Sequence, residues 1–144
     1  MKLTRGTGYG ILGILYLAMQ PVESVTLLHE VAESRDIPES YLAKIFQDLT
    51  KEGLVRSRRG AKGGFCLARP ASDITLRQVI EALQGPISLN RCLDIREGCP
   101  HMETCAVASV LRKAQQQLLQ TLDAATLEAL ATESLTLQSE HEAA

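Results

Sequence analysis

The sequence predicts a mainly α-helical fold that carries one small β-hairpin. Of its 144 residues 45% are hydrophobic and 3% aromatic, with no tryptophan. The core must therefore consist mainly of aliphatic side chains, which favours helices over a large sheet. Apolar residues recur at three- and four-residue spacing along most of the chain, as in amphipathic helices. Only residues 54–69 alternate around a glycine-rich basic turn, which is the pattern of a hairpin.

Two helices are predicted near the amino terminus. Residues 9–19 are apolar on nearly every face and are followed by Pro21, which indicates a buried helix that ends before the proline. A second helix follows, with Ser24 or Thr26 as its predicted N-cap. Its apolar positions are Leu27, Leu28 and Val31.

The third helix has one apolar and one polar face. It is predicted to start at Pro38, where a missing N–H costs nothing, and to run to about Glu52, with Gly53 as a left-handed C-cap. The apolar stripe is Leu42, Ile45, Phe46 and Leu49. The opposite face includes Ser40, Tyr41, Lys44 and Gln47.

The hairpin completes a winged helix-turn-helix. A helix, a break, a second helix and then a basic hairpin is the order of elements in that fold, with the helix-turn-helix at about 28–51 and the wing at about 54–69. We therefore predict a DNA-binding domain over residues 1–71. Residues 1–70 hold ten basic against seven acidic residues, whereas residues 71–144 hold five against ten, so the positive charge belongs to this part.

The predicted DNA site combines the third helix with the wing. Ser40, Tyr41, Lys44 and Gln47 would meet the major groove, where base edges are read. The wing contributes four cations, one of which can enter a narrow minor groove, and glycines that let the backbone approach DNA closely. These residues are Arg56, Arg58, Arg59, Gly60, Lys62, Gly63 and Gly64. A basic run alone is more often a solvated surface, and it is the order of elements that favours DNA binding.

The carboxyl-terminal part, residues 72–144, is predicted to join a loop to a long dimerisation helix. A short helix over 74–83 ends at Gly85 and leads into the loop at about 87–105. A long helix then carries an apolar seam suited to pairing with a second subunit, and one more short helix starts at Asp123. The seam is Val107, Leu111, Ala114, Leu118 and Leu122.

Three of the four cysteines, Cys92, Cys99 and Cys105, lie in that loop. Thiolates are soft ligands for iron–sulfur clusters, zinc or copper(I), and the spacing lacks the C-x-x-C pairs usual for structural zinc. A zinc site completed by His101 and a set of three free thiols are the alternative interpretations. Cys66 lies between two apolar residues of the hairpin, which favours packing over ligation.

Three cysteines leave one position of a four-iron cluster open. The candidates for it are His29, Asp94, His101, Glu103, a group from a partner chain, or water. For His29 the simpler interpretation is a polar side chain on a helix surface.

With both sites located, the sequence resembles the Rrf2 family of bacterial winged-helix transcription regulators, which includes iron–sulfur, nitric-oxide and rhizobial iron regulators (IscR, NsrR and RirA). The resemblance covers almost the whole chain. It is carried by Met1-Lys2-Leu3-Thr4, Ile37-Pro38 with Tyr41-Leu42, Gly53-Leu54-Val55, Arg59-Gly60-Ala61-Lys62-Gly63-Gly64-Phe65, Leu67-Ala68-Arg69, Ile74-Thr75-Leu76 and Val79-Ile80-Glu81-Ala82.

The resemblance implies a cluster bound by Cys92, Cys99 and Cys105, and a homodimer that reads a palindromic operator in double-stranded DNA. Members with a two-iron cluster commonly have a histidine where this chain has Ala108. Nitric-oxide sensors of the family can use an acidic residue near the amino terminus of the partner chain, in the region that here reads Thr7-Gly8-Tyr9-Gly10. Neither fourth ligand transfers, which favours a 4Fe-4S over a 2Fe-2S cluster.

The predicted function is sequence-specific transcription regulation, such as repression, in response to iron, iron–sulfur status, redox state or nitric oxide. A cluster-free regulator responding to thiol oxidation or to a partner protein is the first alternative, and an iron–sulfur electron carrier is the second. No catalytic constellation is present, so the chain is not predicted to be an enzyme. The apolar stretches are too short to span a membrane, and a cytoplasmic location is expected.

Overall fold

The computed structural model describes residues 1–94 and 96–144 and confirms a mainly α-helical fold with a two-stranded antiparallel hairpin. Short 3₁₀ turns lie at Ala71–Asp73 and Arg91–Leu93. In chain order the principal elements are α1 (Arg5–Ala18), α2 (Leu28–Arg35), α3 (Glu39–Lys51), β1 (Val55–Arg58), β2 (Gly64–Leu67), α4 (Leu76–Gln84), α5 (Ala106–Ala124) and α6 (Leu127–Ala143). Among the described residues, no helix is both long and apolar enough to cross a membrane.

Helix α1 begins at Arg5, four residues before the predicted start. The reason is a cap: the Thr4 side chain accepts a hydrogen bond from the Thr7 amide at 3.0 Å, and the two threonine hydroxyls lie 2.9 Å apart. Because the apolar pattern begins only at Tyr9, hydrophobic spacing could not predict the first turn of the helix.

The segment before α2 corrects the predicted cap. Neither Ser24 nor Thr26 caps the helix; the N-cap is Leu27, without a side-chain hydrogen bond. The Thr26 backbone instead pairs with Phe65 of the hairpin, through N···O distances of 2.9 and 2.8 Å. Its side chain is buried, because this pairing draws residue 26 into the edge of the sheet.

The predicted apolar stripe of α3 forms the centre of the core. Leu42, Ile45, Phe46 and Leu49 are all buried, together with Ile14 of α1 and Val31 of α2. The same cluster continues past residue 71, through Ile74, Val79 and Leu127.

The short link between α5 and α6 pairs through its backbone with the segment at the start of α4. Thr75 and Thr126 pair, with the Leu76 amide donating to the Ala125 carbonyl at 2.8 Å and the Leu127 amide donating to the Ile74 carbonyl at 2.9 Å. The predicted start of the last helix at Asp123 is therefore wrong, since residue 123 still belongs to α5. The last helix starts at Leu127 with Thr126 as its cap, and at 17 residues it is not short.

Candidate nucleic-acid interface and cysteine loop

Helix α3 presents its predicted polar residues on one exposed face. Ser40, Tyr41, Lys44 and Gln47 are all exposed, opposite the buried stripe. Tyr41 is 41% exposed, and its ring packs edge-on against that of Tyr9, with the centroids 5.6 Å apart. Helix α1 thus holds one of the four side chains in place.

The hairpin is joined to α3 through its aromatic residue. The register pairs Ser57 with Phe65 and Arg58 with Gly64. The Phe65 ring contacts that of Phe46 in a T-shaped arrangement, with the centroids 5.0 Å apart. An edge-to-face pair of this kind packs favourably, so it ties the orientation of the wing to that of the recognition helix.

The four wing cations are exposed and fall into two groups. Arg59 and Lys62 lie in the turn, whereas Arg56 and Arg58 lie on β1, two residues apart and therefore on the same face of the strand. The Arg56 Nη2 donates to the Ala68 carbonyl at 3.5 Å. Within residues 1–94 and 96–144, no carboxylate forms an ion pair with any of the four, so their positive charges remain available to a polyanion in solution.

The wing glycines are required by the chain's own packing. A Cβ on Gly63 would lie 2.5 Å from the Arg58 carbonyl oxygen, and one on Gly64 would lie 2.5 Å from the Thr26 carbonyl oxygen. Gly60 has φ +107°, a region that side chains rarely adopt. The prediction gave these glycines a role in approaching DNA, but it could not foresee the contact with Thr26, which is distant in sequence.

The three predicted cysteine ligands all belong to the segment between α4 and α5. Cys92 and Cys99 are half-buried, Cys105 is exposed at the N-cap of α5, and all three are free thiols. In the part of the chain that the structure describes, no group of three His, Cys, Asp or Glu side chains is arranged to hold a metal ion. The donors thus suit a thiolate-ligated group in chemistry and position along the loop, but they are not preassembled. Cys66 is buried in β2, as predicted for a packing residue.

Charged pairs organise the loop between Cys92 and Cys99. The Asp94 carboxylate accepts hydrogen bonds from the Arg96 amide at 2.8 Å and from its guanidinium at 3.3 Å. These bonds lower the pKa of Asp94 and raise that of Arg96. Arg91 and Glu97 form a second, exposed pair at 3.3 Å. To act as the fourth ligand, Asp94 would have to release Arg96.

The other fourth-ligand candidates differ in their surroundings. His29 lies on α2, where its Nδ1 is 3.1 Å from a Glu39 carboxylate oxygen, consistent with an ordinary surface histidine. His101 and Glu103 are exposed on the cysteine loop. Ala108, which stands where the resemblance implies a histidine in members with a two-iron cluster, is 2% exposed within α5.

A junction at Leu89, three residues before Cys92, fixes the start of the cysteine loop. The Leu89 amide donates to Gln115 Oε1 of α5 at 2.9 Å, and its carbonyl accepts from the amino-terminal ammonium group at 3.4 Å. Gln84 of α4 binds the same amino-terminal arm, accepting from the Thr4 amide and donating to the Lys2 carbonyl, both at 3.2 Å. Isolated glutamines carry no sequence signal, so this junction was missed.

The winged-helix fold and its exposed basic wing are those of a transcription regulator. A family model described as Rrf2, iron-dependent transcriptional regulator, matches residues 3–133. The chain belongs to the Rrf2 family. The resemblance noted in the sequence is thereby confirmed.

Known proteins similar to this chain include one curated relative and two solved structures. Protein aau3 of Rhizobium meliloti (strain 1021) is 34% identical over 131 residues, covering 90% of this chain and 84% of that protein. The structure of CymR, the global cysteine regulator of B. subtilis, matches with a TM-score of 0.73 at 29% identity, covering 92% of this chain and 98% of CymR. The structure of T. potens IscR matches with a TM-score of 0.74 at 28% identity, covering 93% of this chain and 88% of that IscR chain.

Proposed function

We propose that this regulator binds an operator in double-stranded DNA and that an iron–sulfur cluster held by Cys92, Cys99 and Cys105 sets its affinity. The observation that carries the proposal is the presence of three free thiols outside the core, on the one loop that joins α4 to α5. Soft thiolates suit iron–sulfur clusters. When bound, the cluster would supply iron–thiolate bonds that oxidation, nitric oxide or iron loss can break.

A 4Fe-4S cluster is favoured over a 2Fe-2S cluster. The loop offers three thiolates, and the buried alanine at position 108 offers no fourth donor where the family resemblance implies a histidine in members with a two-iron cluster. The fourth position would be taken by His101, Glu103, a group from the second subunit, or water.

DNA contact is assigned to two exposed surfaces. Ser40, Tyr41, Lys44 and Gln47 on α3 would meet base edges and phosphates in the major groove. The wing tip would lie in the adjacent minor groove, with the strand cations near the phosphates, which gives a steep salt dependence. The wing residues are Arg56, Arg58, Arg59, Gly60, Lys62, Gly63 and Gly64.

A homodimer joined through α5 would present two such units to a palindromic site. Val107 and Val110 are 64% and 67% exposed, and with exposed Ala114 they form an apolar stripe along the helix. Leu111, Leu118 and Leu122 of the predicted seam are half-buried within the chain. Two recognition helices on one face of DNA must be about 34 Å apart, so any change in the angle of α5 alters the fit.

Two sets of contacts connect the cysteine loop to the DNA-binding unit. The loop starts at Leu89, which is hydrogen-bonded both to Gln115 of α5 and to the amino terminus that leads into α1. Helix α4 packs on α1 and α3. Ordering of the loop by a cluster bound to its thiolates would therefore restrict the orientation of α5 relative to the recognition helix. It would thereby favour one spacing of the two recognition helices in the dimer.

The second candidate is a cluster-free regulator that responds to thiol oxidation. It is favoured by the absence, among the described residues, of a preassembled group of metal ligands, and by the likeness to Staphylococcus aureus CymR, whose structure has been solved in an oxidized form. Its signal would be oxidation of one of the exposed or half-exposed loop thiols. Both candidates use the same DNA-binding surfaces.

Anaerobic purification with iron and sulfide analysis separates the two. We expect iron and acid-labile sulfide in the wild type and in Cys66→Ala, and their loss in Cys92→Ala, Cys99→Ala and Cys105→Ala. Operator affinity should change after exposure to air, nitric oxide or a chelator in the wild type and in Cys66→Ala only. Protein that carries neither iron nor sulfide when prepared without oxygen would rule out the cluster, and a persistent response to oxidant would favour thiol sensing.

A further inference from the structure

A cavity of about 320 Å³ lies between the end of α1 and the wing. One wall is formed by Leu17 and the following loop as far as Ser24, and the other by β1, β2 and the segment after the hairpin. Its volume falls at the small end of the range for ligand pockets, about 300–1,000 Å³. The cysteine loop does not contribute to it among the described residues, so this is a separate site.

The cavity is lined by three cations and one acidic residue. Arg56, Arg58 and Arg69 contribute to its walls, and none of them forms an ion pair among the described residues. Glu23 is the acidic residue that lines it. The excess of guanidinium groups favours an anion, and a guanidinium fork matches the two oxygens of a carboxylate.

Apart from these charged residues, the lining is mostly apolar. Leu17, Leu67 and the thiol-bearing Cys66 give the cavity apolar surface.

We propose that this cavity binds a small organic monoanion, a carboxylate attached to a short apolar body. The arginines bind the carboxylate, and the aliphatic lining covers the hydrocarbon. Glu23 disfavours ligands that carry further negative charge.

Occupation of the cavity weakens DNA binding, a consequence that rests on the proposed function. Arg56 and Arg58 belong both to the cavity and to the proposed DNA surface. A carboxylate bound to them neutralises charge that would otherwise meet phosphates, so ligand and DNA compete. The regulator thus has a second input, independent of the three loop cysteines.

Calorimetry on the full-length protein tests the site directly. The probes are butanoate, hexanoate and octanoate, with hexanamide and hexylamine as neutral and cationic analogues of the same length. We expect at least one carboxylate to bind, and the amide and the amine to bind about tenfold or more weakly, because they lose the charge-assisted hydrogen bonds. Arg69→Ala should lower carboxylate affinity about tenfold and leave operator affinity unchanged.

The matched control is Arg59→Ala, which removes the same charge from the wing tip outside the cavity. It should weaken operator binding and leave carboxylate binding intact. If none of the carboxylates binds, or if the neutral amide binds equally well, the cavity proposal is wrong whatever the DNA result. If carboxylates bind but the wild type has no specific operator affinity, the proposed function fails and the ligand site stands.

Discussion

Single residues of α1 determine how closely the DNA-binding helices approach one another. A Cβ on Gly13 would lie 2.8 Å from Cε1 of Phe46, and one on Gly10 would collide with Leu83. On the same helix, Gly8 has open space around it. Gly10 and Gly13 are therefore explained by packing against α3 and α4, whereas the helix itself gains nothing from them.

Alanine at Gly13 and alanine at Gly8 should have opposite effects on stability. Both changes raise helix propensity by about 0.5–1 kcal/mol, but only Gly13→Ala inserts a methyl group against a buried ring. We expect Gly13→Ala to destabilise the protein by about 1–3 kcal/mol and Gly8→Ala to leave it unchanged or more stable. Chemical denaturation measures both, and equal effects would contradict the packing at Gly13.

At the scale of elements, the wing is held at three places. It pairs within itself, it is joined to the chain before α2 through Thr26, and its Phe65 ring packs on Phe46 of α3. Its turn, in contrast, points exposed cations away from the core. A fixed base with a charged tip is the arrangement expected of an element that positions cations against a polyanion.

Removal of the charge at the wing tip should weaken binding to specific and to scrambled DNA by the same factor. Arg59→Ala removes one phosphate or minor-groove contact, so we expect affinity to fall about tenfold and the salt slope to decrease by about one. Fluorescence anisotropy over a salt series, with specific and scrambled duplexes, gives both quantities. Arg112→Ala, an identical charge change on α5, is the control and should leave the salt slope as in the wild type.

At the scale of the whole molecule, the two halves of the chain share one core and one junction. Ile74, Val79 and Leu127 continue the cluster that begins in the DNA-binding helices. The start of the cysteine loop is hydrogen-bonded to both α5 and the amino terminus. A change in the conformation of the loop can therefore be transmitted both to the proposed dimer helix, α5, and to α1, the helix that supports Tyr41.

Gln115→Leu should uncouple the loop from DNA binding. The change removes the acceptor for the Leu89 amide while keeping a side chain of similar size. We expect cluster content to be retained, and the ratio of operator affinities with and without the cluster to fall toward one. Gln116→Leu, at the exposed neighbouring position, should keep the wild-type ratio. A full response in Gln115→Leu would show that coupling takes another route.

Hydrophobic spacing along the chain correctly predicted which residues of a helix are buried. It failed for features that depend on contacts between residues distant in sequence. The α3 stripe was correct in every member, because helical spacing alone selects Leu42, Ile45, Phe46 and Leu49 for burial. The cap at Thr26 was wrong because a hairpin almost forty residues away claims its backbone. The Leu89 junction and the cavity depend on tertiary contacts between unpatterned residues, so no spacing rule could find them.

The backbone pairing of Thr26 with Phe65 also bears on how the protein opens. The Phe65 amide donates to Thr26 rather than to solvent, so its hydrogen can exchange only when the chain before α2 separates from the wing. Such a link makes the helix-turn-helix and the base of the wing one cooperative unit of local unfolding. The exposed turn around Lys62 lies outside this unit and can exchange its amide hydrogens early, which leaves the tip free to adapt to DNA while its base stays fixed.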